Sequence, residues 1–106
     1  MAVLQIVDNA VNTLVDTIET IFTNGTSGVL IESFTAVNNS SVNASYKAYI
    51  VNSGVAQPQI PMTIVVWGEN DLGIGIVNQV IPANATLRVE ASAANSIYFT
   101  VTGREV

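Results

Sequence analysis

Apolar and polar residues alternate with a period of two along most of this chain, and short clusters of Gly, Pro, Asn and Ser break the alternation at close intervals. That is the pattern of half-buried β-strands separated by tight connections. It predicts strands over residues 17–23, 29–37, 45–52, 62–68, 74–81, 86–91 and 97–102. No segment from residue 17 onward has the period of a helix, so a parallel sheet with helical crossovers is not expected. The predicted fold is all-β: a single antiparallel β-sandwich, Ig-like or jelly-roll-like, of about seven strands.

Residues 1–16 read differently. Leu4, Val7, Val11, Leu14, Ile18 and Ile21 fall at alternating steps of three and four, as in a short coiled coil. The segment is rich in β-branched residues, which lose side-chain freedom in a helix, and it has no Lys or Arg to pair with its acids. The reading taken is an extended N-terminal arm over 1–16 leading into a sandwich domain over 17–106. On that reading, deleting residues 2–14 leaves a folded domain.

The faces can be assigned from the alternation. Leu87, Val89 and Ala91 point one way, with Thr86, Arg88 and Glu90 opposite. Ile97, Phe99 and Val101 likewise face a core, with Tyr98, Thr100 and Thr102 outside. The two segments are expected to form a hairpin with one wet face. Residues 29–37 and 62–67 are apolar on both faces. The first sets Leu30, Phe34 and Ala36 against Val29, Ile31 and Val37; the second sets Met62, Ile64 and Val66 against Val65 and Trp67. Strands of this kind need a second cover, such as an arm, a loop or another subunit. Pro58 and Pro61 cannot donate to a ladder and mark a loop or the start of an edge strand.

Composition supports an interface. Of 106 residues, 49% are hydrophobic and only 10% charged, against a usual charged share of about 25%. So few charges cover a monomer's surface poorly, which points to oligomerisation. The net charge is −5 and the positive residues are Lys47, Arg88 and Arg104 alone. That argues against nucleic acid and against an anionic membrane surface as partners. Without Cys there are no disulfides or thiolate metal sites. The first residues lack the basic start of a secretory signal, and no apolar run approaches the ~20 residues of a membrane span. The Asn-x-Ser/Thr triplets at Asn24, Asn38, Asn39, Asn43 and Asn84 are read as turn residues.

Catalytic chemistry has little to work with. With no His and no Cys, a Ser-His-Asp triad and the common zinc sites are excluded. Glu69 and Asp71 form the one close acidic pair and are read as a solvated turn, because they supply too few oxygens for Ca²⁺. Gly73-Ile74-Gly75 lacks the third glycine and the helix of a phosphate loop and is read as a bulge or a twisted strand entry. Trp67 is read as core or interface packing, with a carbohydrate platform as the alternative that Tyr46, Tyr49 and Tyr98 could support. No enzyme activity, cofactor or metal is expected.

The C-terminal stretch Thr86-Leu87-Arg88-Val89, then Ala91-Ser92-Ala93-Ala94-Asn95, then Phe99-Thr100-Val101-Thr102-Gly103-Arg104-Glu105, resembles the ending of small β-sandwich virion proteins of tailed bacteriophages. Upstream, Glu19-Thr20-Ile21-Phe22-Thr23, residues 29–39, residues 45–54 and the Ile81-Pro82-Ala83-Asn84 turn resemble that family's earlier strands and turns. Residues 24–28 stand in place of its "V-P-A-G" loop, and its "A-G-D" turn is merged with residues 82–84. The resemblance covers residues 17–106. It implies a capsid cement (decoration) protein, which stabilises an icosahedral phage head through oligomeric interface contacts. It further implies a homotrimer held against the major capsid protein or other virion proteins and assembled in the bacterial cytoplasm. A neck, tail or head-fibre component is the alternative, and a carbohydrate-binding module a more distant one. The expected contact residues are Val3, Leu4, Ile6 and Val7 of the arm, together with Trp67.

Overall fold

The computed structural model of the chain describes residues 4–54 and 56–106. Among the described residues nine strands follow in order: β1 (Leu4–Val11), β2 (Glu19–Thr23), β3 (Val29–Asn38), β4 (Ala44–Val51), β5 (Pro58–Val65), β6 (Asn70–Asp71), β7 (Val80–Ile81), β8 (Thr86–Ala91) and β9 (Ile97–Glu105). All pairings are antiparallel, and the strands form two sheets. One sheet has the order β1-β9-β3-β6, with β7 also on β3; the other has the order β2-β8-β4-β5. The all-β antiparallel sandwich read from the alternation is the observed architecture.

The pairing is nested. β1 lies on β9, β2 on β8, β3 on the interrupted strand β6/β7, and β4 on β5. Two further pairings, β3 on β9 and β4 on β8, roll this folded-over chain into two layers. That is the wiring of a jelly roll. Between the layers lies a core centred on Phe34, Tyr46 and Phe99, whose ring centroids are 5.6–6.0 Å apart. Ile31, Ile76, Ile81, Leu87, Ile97 and Val101 are buried around them.

Four expectations change. Residues 4–11 are extended, but they do not project as an arm. They form an edge strand whose Val7 is buried in the domain's own core, so deleting residues 2–14 removes a strand rather than an appendage. β8 and β9 are not a hairpin. They lie in opposite sheets, and their two dry faces meet across the core while residues 92–96 cross between layers. β3 has one core face, not two. Ile31 pairs with Gly103 and Ser33 with Thr102, so Glu32 is an extra residue, and this bulge turns both Val29/Ile31 and Phe34/Ala36 inward. At Gly103, where the strands cross this bulge, an added Cβ would stand 2.6 Å from the Leu30 carbonyl oxygen. Residues 74–79 are turns rather than strand. Gly73 and Asn78 have φ of +61° and +70°, and Ile76 N and Gln79 N donate to Gly73 O and Ile76 O. In this segment Ile76 is fully buried in the core and Val77 packs against it, and a Cβ on Gly73 would collide with Phe34 at 2.3 Å.

The ends of the sandwich are closed by three buried asparagines, each at the end of a strand. Asn12 Oδ1 accepts from Ser96 N (3.2 Å) and Ile97 N (3.0 Å), and its Nδ2 donates to Ala93 O (2.6 Å) and Leu14 O (3.2 Å). Asn24 Nδ2 donates to Ser27 O (2.8 Å), Ile81 O (2.9 Å) and Pro82 O (3.0 Å), and Oδ1 accepts from Gly25 N (2.8 Å). Asn38 Nδ2 donates to Val42 O and Val65 O, each at 2.8 Å, and Oδ1 accepts from Ser40 N (3.0 Å) and Ser40 Oγ (2.7 Å). Their backbone amides follow the same rule, donating to Ile97 O, Ala85 O and Glu69 O respectively. Each asparagine thus ties a crossing from the first half of the chain to its neighbour from the second half.

Losing such a tie leaves buried carbonyls and amides without partners, at about 1–3 kcal/mol for each group. Asn38→Ala should therefore lower unfolding free energy by about 2–3 kcal/mol, whereas Asn39→Ala, at an exposed neighbour, should stay within about 0.5 kcal/mol. Urea denaturation midpoints of the two variants check this.

Candidate interaction surface

The residues expected to make contacts do not come together. Val3 lies outside the described residues. Leu4 is exposed at the start of β1, Ile6 is half-buried, and Val7 is 3% exposed, so Val7 belongs to the core and is unavailable to a partner. Leu4 and Ile6 line a shallow groove with Phe22, Val29 and Arg104, where β1 and β2 form one side of the sandwich. Trp67 sits beyond β5, on the opposite side. Its backbone N donates to Asn43 Oδ1 at 3.2 Å, and its side chain is 60% exposed. The indole is not part of the core, which removes one of the packing roles open to it from sequence.

The exposed apolar surface that the sequence partly announced is on β5. Val65 and Ile60 point inward, whereas Met62 (65% exposed) and Ile64 (69% exposed) point outward. Val66 and Trp67 extend this surface along the chain. Residues 58–67 contain no charged side chain. Sequence reasoning set Met62 and Ile64 on one face but did not name them as contacts, because alternation cannot say which face is covered. Ile74, the most exposed large apolar residue described (91%), was hidden in a run that reads as strand.

The sheet edges themselves are poorly suited to strand addition. β1 carries two register shifts, and its Asn9 has φ of +52°. β2 is five residues long and bulged. β5 has two register shifts and the prolines Pro58 and Pro61. The fourth edge is broken into β6 and β7. These are the devices by which sheets avoid pairing edge to edge. Contacts made by this domain therefore fall to side-chain faces.

Polar groups near the surface serve local structure. Tyr49 Oη donates to Glu90 Oε1 at 2.6 Å, and burial, with this bond and the nearby carboxylate, pushes the phenol up to about 12. Tyr46 Oη donates to Asp71 Oδ2 at 2.5 Å, joining β4 to β6 across the two sheets. Burial and this bond raise its pKa far above the usual phenol value. Glu69, which the sequence paired with Asp71, is exposed, and no group of three or more His, Cys, Asp or Glu able to hold a metal occurs among the described residues. Comparison with protein-family models, with curated proteins and with solved structures gives no match.

One carboxylate makes stability depend on pH. Burial acts to raise Glu19, but hydrogen bonds from Thr13 Oγ1 (2.7 Å), Thr13 N (3.0 Å) and Leu14 N (3.2 Å) outweigh it and hold the carboxyl below its usual value. A depressed acid stabilises the fold above its unfolded-state pKa, and that contribution is lost as pH falls through the folded-state value. Glu19→Gln should lower stability at about pH 7 by up to about 1 kcal/mol once solvent screening is counted, and the difference should vanish as pH falls through the folded-state value, which lies below the usual glutamate pKa. Urea midpoints across that range measure the effect.

Proposed function

We propose that this chain is a structural virion protein of a tailed bacteriophage, a capsid decoration protein that works by burying apolar surface against its own copies and the shell. The observation that carries this reading is the uncharged, outward-facing run of β5 and its extension, Met62, Ile64, Val66 and Trp67. An apolar strand face exposed on a rigid sandwich is the surface expected of a subunit that is covered in its assembly. The resemblance of residues 17–106 to small phage β-sandwich proteins supplies the virion context. Jelly rolls also serve in capsid and lectin domains, so the fold itself adds little to the choice. The mechanism is additive. An interface of standard size removes about 800 Å² per partner from water, and many weak copies on one shell resist outward pressure together.

One observation favours a second reading, a carbohydrate-binding module: the exposed indole of Trp67. That reading predicts saturable glycan binding abolished by Trp67→Ala, whereas the decoration reading predicts none.

The first test is mass by light scattering at micromolar concentration. A homotrimer, three times the 11.2 kDa chain, is expected. Ile64→Lys should give monomer with the parent's far-UV circular dichroism spectrum, since Ile64 is exposed and lies outside the core cluster. A monomeric parent protein would contradict the proposal. So would an unchanged trimer in the Ile64→Lys variant.

A further inference from the structure

The chain contains a single Asn-Gly step, Asn24-Gly25. Glycine offers the least steric hindrance to attack by its own backbone nitrogen on the preceding asparagine side chain. Fold geometry does not require glycine at this place. Gly25 has no positive φ, and nothing lies within 4 Å of where its Cβ would stand. Yet its neighbour is one of the three buried ties. Asn24 is 7% exposed, its Nδ2 is held by three carbonyl oxygens, and its Oδ1 accepts the Gly25 N–H. Attack on a carbonyl carbon follows the Bürgi–Dunitz path, out of the amide plane. In the fold the Gly25 nitrogen is instead engaged with Oδ1 through its proton, and four hydrogen bonds stop the amide from turning.

We propose that Asn24 is a conditional modification site, closed in the folded domain and opened by unfolding, whose conversion prevents the chain from folding again. In the open chain the Gly25 nitrogen gives its proton to water and bonds to Asn24 Cγ. The Cγ–Nδ2 bond breaks, and the nitrogen leaves as ammonia after taking a proton from water. Water then opens the resulting five-membered imide at either carbonyl, leaving aspartate or isoaspartate at position 24. Water is the only co-reactant, and nothing is oxidised or reduced. The aspartate product puts a carboxylate oxygen where Nδ2 stood, facing the carbonyl oxygens of Ser27, Ile81 and Pro82 with no donor between them. Isoaspartate adds a methylene to the backbone of the crossing. Neither restores the tie. Asn12 and Asn38 are buried in the same role but precede Thr13 and Asn39, whose side chains obstruct the attack.

The test holds the full chain at mildly alkaline pH, native or in guanidinium chloride, and reads conversion at residue 24 by peptide mass spectrometry. Refolding by dilution is followed by circular dichroism. Native conversion should be slower by on the order of 10³-fold or more, because it tracks the small open population. Loss of refoldable protein should keep pace with conversion. Gly25→Ala should still refold after the same incubation, and Asn24→Asp made directly should fail to regain the parent's circular dichroism spectrum on dilution. Comparable conversion rates in the two states would overturn the proposal. So would an Asn24→Asp protein that refolds, or loss of refolding in Gly25→Ala at the parental rate.

Discussion

Three side-chain amides, buried where the two sheets hand the chain across to each other, hold this fold in register. A nested hairpin rolled into a sandwich brings crossings together in pairs: β1–β2 beside β8–β9, β2–β3 beside β7–β8, and β3–β4 beside β5–β6. At each pair the ladders have ended, and the backbone carbonyls and amides there are buried or partly buried. Asparagine suits this position because one short planar group presents two donors and an acceptor. In Asn12, Asn24 and Asn38 alike, Nδ2 donates to both crossings of the pair, while Oδ1 accepts from one of them: the far crossing for Asn12, the near one for Asn24 and Asn38. Among the described residues no buried side-chain nitrogen or oxygen lacks a partner. Phe34, Tyr46 and Phe99 sit at the centre of the apolar core, but the ties select which strands may face each other.

The face of each strand was legible where the backbone is regular. In β8 and β9 the alternation gave every inward side chain correctly. Pairing was not legible, because two strands with dry faces fit a hairpin or two opposed layers equally well, and only the cross-layer partners decide. A bulge defeats alternation outright. The single extra residue Glu32 makes β3 look apolar on two faces when it has one. The ties were hidden for another reason: asparagine beside glycine or serine signals a turn, and the turns are real, so nothing in the local sequence distinguishes an amide facing solvent from one facing inward. The run from Gly73 to Val77 misled because turn residues with left-handed φ at Gly73 and Asn78 flank an apolar stretch of strand composition.

The same accounting shapes the surface. All four edges are bulged, shortened, interrupted or supplied with proline, so the domain resists indiscriminate sheet extension although it carries few charges. What remains for contact is side-chain surface, and β5 presents it in the most concentrated form. Trp67 is exposed, and the shared face of Met62 and Ile64 was legible. The supposed arm was not, because Val7 sits at helix-like spacing from Leu4 and Val11 but is used as a core residue of an edge strand, through register shifts on either side of it. A domain with guarded edges and one exposed apolar strand is suited to a defined partner in a fixed orientation, which is what the proposed shell contact demands.

The amides that the ties capture report most directly on whether the ties govern the fold. Native-state hydrogen exchange should find the amides of Ser96 and Ile97, held by Asn12, and of Ser40, held by Asn38, exchanging with the same free energy as the core amides of Phe99 and Val101. The crossings would then open only when the whole domain opens. Exchange of Ser96, Ile97 and Ser40 through local openings, well ahead of the β9 core, would contradict this account.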